Sequence, residues 1–195
     1  MLSKVRLFPI NSWGTDGYPV LGSPIQLATV AEGETEVNNI RIKLTPTVKS
    51  KTLEADDREE VHTAVTGMSG ELECYCADPT ALAAIFPVDR DSNGNVHFLA
   101  GVQSSKEVTI FCEGRSGEKG NKFQMWIYDC TFEPLEEELN TETDTAQTVS
   151  LSFNVKVINA GTTSGTKKDR THAKAYAGNT GYVSGEPTAS DILKE

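Results

Sequence analysis

The sequence predicts a mainly β protein: an antiparallel β-sandwich or barrel with one short flanking α-helix and an extended C-terminal arm. Three observations carry this. Several separate stretches alternate apolar and polar residues with the period of two that a half-buried strand shows. A single stretch reads as a helix, and strands and helices do not alternate in the rhythm that builds parallel βαβ units. The chain has 195 residues, enough for one domain with a sizeable core. The expected division is a β domain over 1–159 and a flexible arm over 160–195.

Taken in order, Ile40, Ile42 and Leu44 alternate with Arg41, Lys43 and Thr45. Leu72, Cys74 and Cys76 alternate with Glu71, Glu73 and Tyr75. Upstream, Val61, Thr63 and Val65 have the opposite parity, and Gly67 and Gly70 lie at the switch, which predicts a bulge or kink. "DPTALAAIF" is the helix: Asp78 is its expected cap, Pro79 suits the first position, Leu82, Ile85 and Phe86 form an apolar stripe, and Pro87 ends it. Asn93-Gly94 signals a turn into Val96, Phe98, Ala100 and Val102 on one parity.

Val108, Ile110 and Cys112 then alternate with Glu107, Thr109 and Glu113. In "KFQMWIYDCTF" both parities are apolar, with Phe123, Met125 and Ile127 on one side and Trp126, Tyr128, Cys130 and Phe132 on the other. Such a strand is covered on both faces. Val149, Leu151, Phe153, Val155 and Val157 alternate cleanly with Ser150, Ser152, Asn154 and Lys156. After Ala160 the composition turns to Gly, Ser and Thr, which cannot build a core alone. Tyr176, Tyr182, Ile192 and Leu193 are spaced anchors there, expected to order against a neighbouring subunit.

The charges and reactive residues exclude more than they suggest. With 18 Lys+Arg against 28 Asp+Glu, a formal charge of -10, a surface that grips nucleic-acid phosphates is disfavoured. The first seventeen residues break at Pro9, Gly14 and Gly17, and no run reaches membrane-spanning length. The expectation is a soluble protein made in a reducing cytoplasm, without membrane contact. Cys74, Cys76, Cys112 and Cys130 fall in strand runs, which favours buried reduced thiols over metal ligands or disulfides. His62, His97 and His172 are scattered without ligand spacing. The acidic run from Glu133 to Asp144 reads as a solvated connection rather than a catalytic carboxylate pair. No nucleophile elbow, phosphate-cradling glycine loop or dinucleotide fingerprint occurs. The residues point to a binding or structural module with no catalytic, metal-binding or cofactor-binding residues.

One stretch narrows this further. "SKTLEADDREEVHTAVTGMSGELECYCADPTALAAIF" resembles the central region of major tail tube proteins of long-tailed bacteriophages, with their Thr-Leu-x-Ala-Asp-Asp loop, Gly-containing strand, acidic and apolar alternation, and short helix. "KFQMWIYDCTFEPLEEELNTETDTAQTVSLSFNVKV" is similar to the family's aromatic strand, acidic connection and closing strand. Glu54 stands where that loop often has an aromatic residue, and the cysteines are not a family mark. The resemblance implies hexameric rings stacked into the tail tube of a virion, assembled in the host cytoplasm. Its partners would be further copies of itself and the tape-measure, tail-tip and terminator proteins, with DNA passing through the lumen without specific binding. It also implies that the charged loop of Lys51, Glu54, Asp56, Asp57, Arg58, Glu59 and Glu60 reaches neighbouring subunits. Glu71 and Glu73 are candidates for an acidic lumen wall. The alternatives are the tube protein of a contractile tail or secretion system, and a capsid decoration or adhesion β-sandwich.

Overall fold

The computed structural model describes residues 2–27, 41–55, 58–75, 79–93, 95–98, 105–116, 121–134, 148–161 and 165–194. In chain order the elements are β1 (Leu2–Trp13), β2 (Pro19–Leu21), β3 (Arg41–Ala55), β4 (Arg58–Tyr75), α1 (Pro79–Ile85), β5 (Val88–Arg90), β6 (Val96–Phe98), β7 (Val108–Ser116), β8 (Asn121–Phe132), β9 (Thr148–Val155), β10 (Ile158–Ala160), β11 (Lys168–Arg170) and β12 (His172–Tyr176). A 3-10 turn follows at Ala189–Asp191. The protein is mainly β and antiparallel with one short helix among the described residues, as the alternation predicts. Its strands form one continuous eight-stranded sheet in the order β2-β1-β7-β8-β9-β4-β3, with β12 also paired to β8. Two small hairpins, β5-β6 and β10-β11, lie outside it.

One face of the sheet packs on α1. Val5 and Leu7 of β1, Leu72 and Cys74 of β4, Val108 and Ile110 of β7, and Leu151 and Phe153 of β9 share a cluster with Leu82, Ile85 and Phe86. The helix ends where the sequence says. Phe86 N still donates to Leu82 O, Pro87 follows, and Lys106 N donates to the buried Ile85 carbonyl at 2.9 Å. Asp78, the expected cap, lies outside the described residues.

The opposite face of β1, β7 and β8 carries a second, aromatic cluster: Phe8, Tyr18, Leu21, Phe111, Trp126 and Tyr128. Trp126 lies 4.8 Å from Phe111 and 5.4 Å from Phe8 between ring centroids, and Tyr18 meets Tyr128 edge-on at 5.5 Å. Rings tilted in this way pack well because the positive edge of one meets the negative face of another. The cluster is closed by Ile158, Ala160 and Ile192 from the C-terminal segment.

β8 is therefore covered on both faces, as expected, but its parity is not continuous. Val108 pairs with Cys130 and Ile110 with Ile127, so Tyr128 and Asp129 together oppose the single residue Thr109. This bulge moves Cys130 and Phe132 to the helix-packed face with Met125 and Ile127, leaving Trp126 and Tyr128 on the aromatic face. Unbroken alternation had put all four on one side. A bulge was correctly expected in β4: Thr47 pairs with Gly67 but Val48 with Val65, leaving Thr66 as the extra residue. Gly70 has a different purpose. It stands opposite Phe153, and a Cβ there would run into the Phe153 ring.

The C-terminal segment lies on its own chain, where the sequence suggested a neighbouring subunit. β12 pairs with β8 from His172↔Ile127 to Tyr176↔Phe123, filling the stretch of edge that β9 leaves open. Gln124 acts like a further strand residue: its side chain donates to Val183 O at 2.7 Å and accepts from Val183 N at 2.8 Å. Tyr128 OH donates to Leu193 O, and ion pairs join Lys4 and Arg6 to Glu186 and Lys194 to Asp16. Of the four expected anchors Ile192 is buried, Leu193 packs beside it, Tyr182 bonds Glu113, and Tyr176 stays exposed. A segment too polar for its own core thus completes another one.

Pro9 did not break the N-terminal strand. Its carbonyl accepts from Gly22 N at 2.8 Å, and it pairs with Val108 without needing an N–H. The alternation through Val157 stops at Val155, where the chain crosses to the aromatic face.

Deleting the residues after Gly161 should expose the aromatic face and unpair the edge of β8. With Trp13 replaced by Phe, the emission of Trp126, fully buried at 0% exposure, should shift to the red. The loss should be on the order of 5 kcal/mol, comparable to the whole stability of a small domain. A second expectation concerns Asp129, buried at the bulge. Burial pushes its carboxyl up to about 6, Lys156 pulling it down and Glu107 pushing it up. The folded state thus holds the proton more tightly than the unfolded chain, so this contribution is greatest below pH ~4 and is lost as pH rises through about 6. Asp129→Asn should raise Tm at pH 7.5, and the gain should vanish near pH 4.

Candidate subunit interface

Reactive side chains do not assemble a catalytic site among the described residues. Cys74, Cys112 and Cys130 are buried. Burial pushes the Cys112 thiol up to about 12 and that of Cys130 well above its ordinary range. Such thiols are poor nucleophiles. Cys76 lies outside the described residues. His97 sits exposed beside Asp91 at 3.7 Å, and His172 is half-buried on β12, its pKa pushed down by burial and then by Lys174. No three His, Cys, Asp or Glu side chains of the described residues converge as a metal site would require. Glu133 accepts from Asn154 Nδ2 at 3.0 Å, and the rest of the acidic run beyond Pro134 lies outside the described residues. No helix among them is long and apolar enough to cross a membrane.

The feature that stands out is the hairpin of β3 and β4. From Arg41↔Glu73 to Pro46↔Met68 it belongs to the body, with β9 on the other side of β4. The last pair between β4 and β9 is Met68↔Val155. Beyond it, eight pairs from Val48↔Val65 to Ala55↔Arg58 continue as a ribbon of two strands. At ~3.3 Å per residue this is about 25 Å of hairpin. The charged connection expected as a long loop is therefore mostly ladder: Lys51, Glu54, Arg58, Glu59 and Glu60 occupy strand positions, and Asp56 and Asp57 lie outside the described residues.

The bulge at Thr66 gives the ribbon its character. Within the body Ile42, Leu44, Met68 and Leu72 face the helix-packed core. The extra residue keeps Val48 and Val65 in register on the same face past the end of the body, where they are 46% and 55% exposed. Apolar residues of core type thus run out onto a surface that the described part of the chain does not cover. Sequence parity identified the switch but not that the body ended there.

Glu71 and Glu73 lie opposite the Leu72/Cys74 face, as expected. Glu71 accepts from Ser150 Oγ at 2.9 Å, Glu73 lies 3.7 Å from Arg41, and the ladder sets Lys43 directly opposite Glu71. This surface is locally balanced in charge rather than acidic. At the far end of the strand order, Trp13 at the end of β1, 44% exposed, and Val20 of β2, 47% exposed, are two further exposed apolar residues that the sequence did not single out. An exposed Trp has no local signature, so nothing in the pattern could have marked it.

No protein-family model and no curated protein matches this chain.

The two-stranded ribbon should be the loosest part of the sheet, since among the described residues each of its strands has one partner strand. Hydrogen exchange of residues 48–55 and 58–66 should run at least tenfold faster than that of Gln124 to Cys130 in β8, measured on the monomer at neutral pH.

Proposed function

We propose that this chain is a structural subunit of a self-assembling tube, the major tail protein of a long-tailed bacteriophage, forming stacked hexameric rings around a DNA channel. The observation that carries the reading is the ribbon, with Val48 and Val65 displayed beyond the body. Exposed apolar strand surface is a liability in a free monomer and an asset in a polymer. The sheet edges that stay unpaired among the described residues support the same reading. They lie at opposite ends of the strand order, β2 and β3, and contact between two different surfaces closes into a ring when the rotation allows. Pro19, Pro46, Lys43 and Lys49 on these strands are devices that discourage indiscriminate edge pairing.

The acidic balance of the whole chain, -10, suits a conduit that must not retain DNA, over a screening length of about 8 Å at physiological salt. Glu71 and Glu73 would add little to that repulsion, because Arg41 and Lys43 share their surface.

Negative-stain micrographs of concentrated protein should contain rings or tubes with sixfold end views. A monomer at every concentration tested, or a discrete trimer that never stacks, would overturn the reading, the trimer pointing to a decoration or adhesion module. Reversing Asp56 and Asp57 to Lys should leave monomer stability within about 1 kcal/mol and impair polymerisation.

A further inference from the structure

Two hairpins of this chain carry, one pair short of the end of the ladder, like-charged pairs of opposite sign. In the β3-β4 ladder Glu54 stands directly opposite Glu59, next to Leu53 opposite Glu60 and Ala55 opposite Arg58. In the β7-β8 ladder Arg115 stands directly opposite Lys122, beside the terminal pair Ser116 and Asn121. Directly opposed residues of an antiparallel ladder are close enough that like charges repel. Neither pair is needed to complete the core.

Among the described residues the basic pair has no acidic partner. Arg115 and Lys122 are both exposed, and no described carboxylate lies within ion-pair distance of either. The nearest acidic residue along β7, Glu113, is engaged by Gln124 Nε2 at 2.9 Å and by Tyr182 OH at 3.3 Å. Lys174 on the adjoining β12 adds another exposed cation, resting over the Phe123 ring at 5.8 Å. A cationic hairpin end with no acidic partner among the described residues, on a chain of charge -10, is an electrostatic mate for an acidic one. The acidic end is carried by the ribbon, held out from the body by its eight pairs.

We infer that the Glu54/Glu59 end of the β3-β4 hairpin of one copy docks on the Arg115/Lys122 end of the β7-β8 hairpin of a second copy. Each pair relieves the repulsion of the other. The inference rests on the tube reading for the partner being a second copy, and it adds the receiving surface. Because donor and receiver differ, every copy offers both and the contact propagates. Exposed charges of this kind steer association and reject wrong partners more than they add affinity.

Charge reversal tests it. The acidic-end variant carries Glu54→Lys and Glu59→Lys, the basic-end variant Arg115→Glu and Lys122→Glu. Thermal unfolding should show both folded, and light scattering at low ionic strength should show each assembling at least about tenfold more slowly than wild type. The chain with all four reversals should recover. So should an equimolar mixture of the two variants, since one then has two basic ends and the other two acidic ends. Wild-type assembly with both variants unaffected overturns this contact alone and leaves the tube reading standing. Folded, assembly-defective variants that neither the fourfold chain nor the mixture rescues also overturn the contact. A wild-type chain that never associates overturns both.

Discussion

The structure depends on the two-for-one bulge at Tyr128 and Asp129 in β8. One edge of β8 is occupied from Asn121 to Cys130 by β7, and the other is shared by two strands that meet at the bulge. β9 takes Cys130 to Phe132 and β12 takes Phe123 to Ile127. The bulge leaves backbone groups out of the regular ladder, and three of them are answered from other strands and turns. Thr109 Oγ1 donates to Tyr128 O, Thr171 O accepts from Tyr128 N at 3.1 Å, and Lys156 N donates to Asp129 O at 2.8 Å. Buried peptide groups need such partners, because an orphan costs as much as a lost hydrogen bond. The cost that remains falls on Asp129, whose carboxyl is buried with Oδ1 unpartnered among the described residues and is pushed toward its neutral form.

Because the bulge ends the run of β9, the chain is free to cross the sheet at Lys156 and Val157 and return on the aromatic face. There β10 and β11 pair, β12 takes the vacant edge, and the last residues lie over Tyr18 and Tyr128. The polar anchors are arranged at the periphery and the apolar ones in the middle. Ion pairs of Lys4 and Arg6 with Glu186 and of Lys194 with Asp16 are partly exposed and contribute little individually. Ile192 and Ala160, buried against the aromatic rings, supply the stronger hydrophobic term. The segment is therefore structural in the single chain as well as extended in form.

The same end of β9 creates the projecting ribbon. Once β9 stops at Val155, β4 continues with only β3 beside it, and a hairpin of one length in sequence becomes half sheet and half projecting ribbon. Placing the Thr66 bulge at this boundary decides which face the ribbon presents. A straight ladder would have carried Val65 and Val48 on opposite faces. With the bulge they stand together and continue the line of the core beyond it.

The sequence by itself determined the mainly β class, the extent of α1, the double burial of β8 and the parity switch in β4. Each rests on a local period of apolar residues or on the backbone restrictions of Pro and Gly, which act within a few neighbours along the chain. Only the tertiary structure decided that Pro9 lies inside a strand, that Cys130 changes faces, and that Tyr182 and Ile192 find partners in their own chain. It also decided that the charged stretch around Glu54 is a ladder rather than a loop. The reason is common to all four. Register between strands distant in sequence, and the point where one strand stops beside another, depend on pairing energies and packing across the sheet that no local window contains.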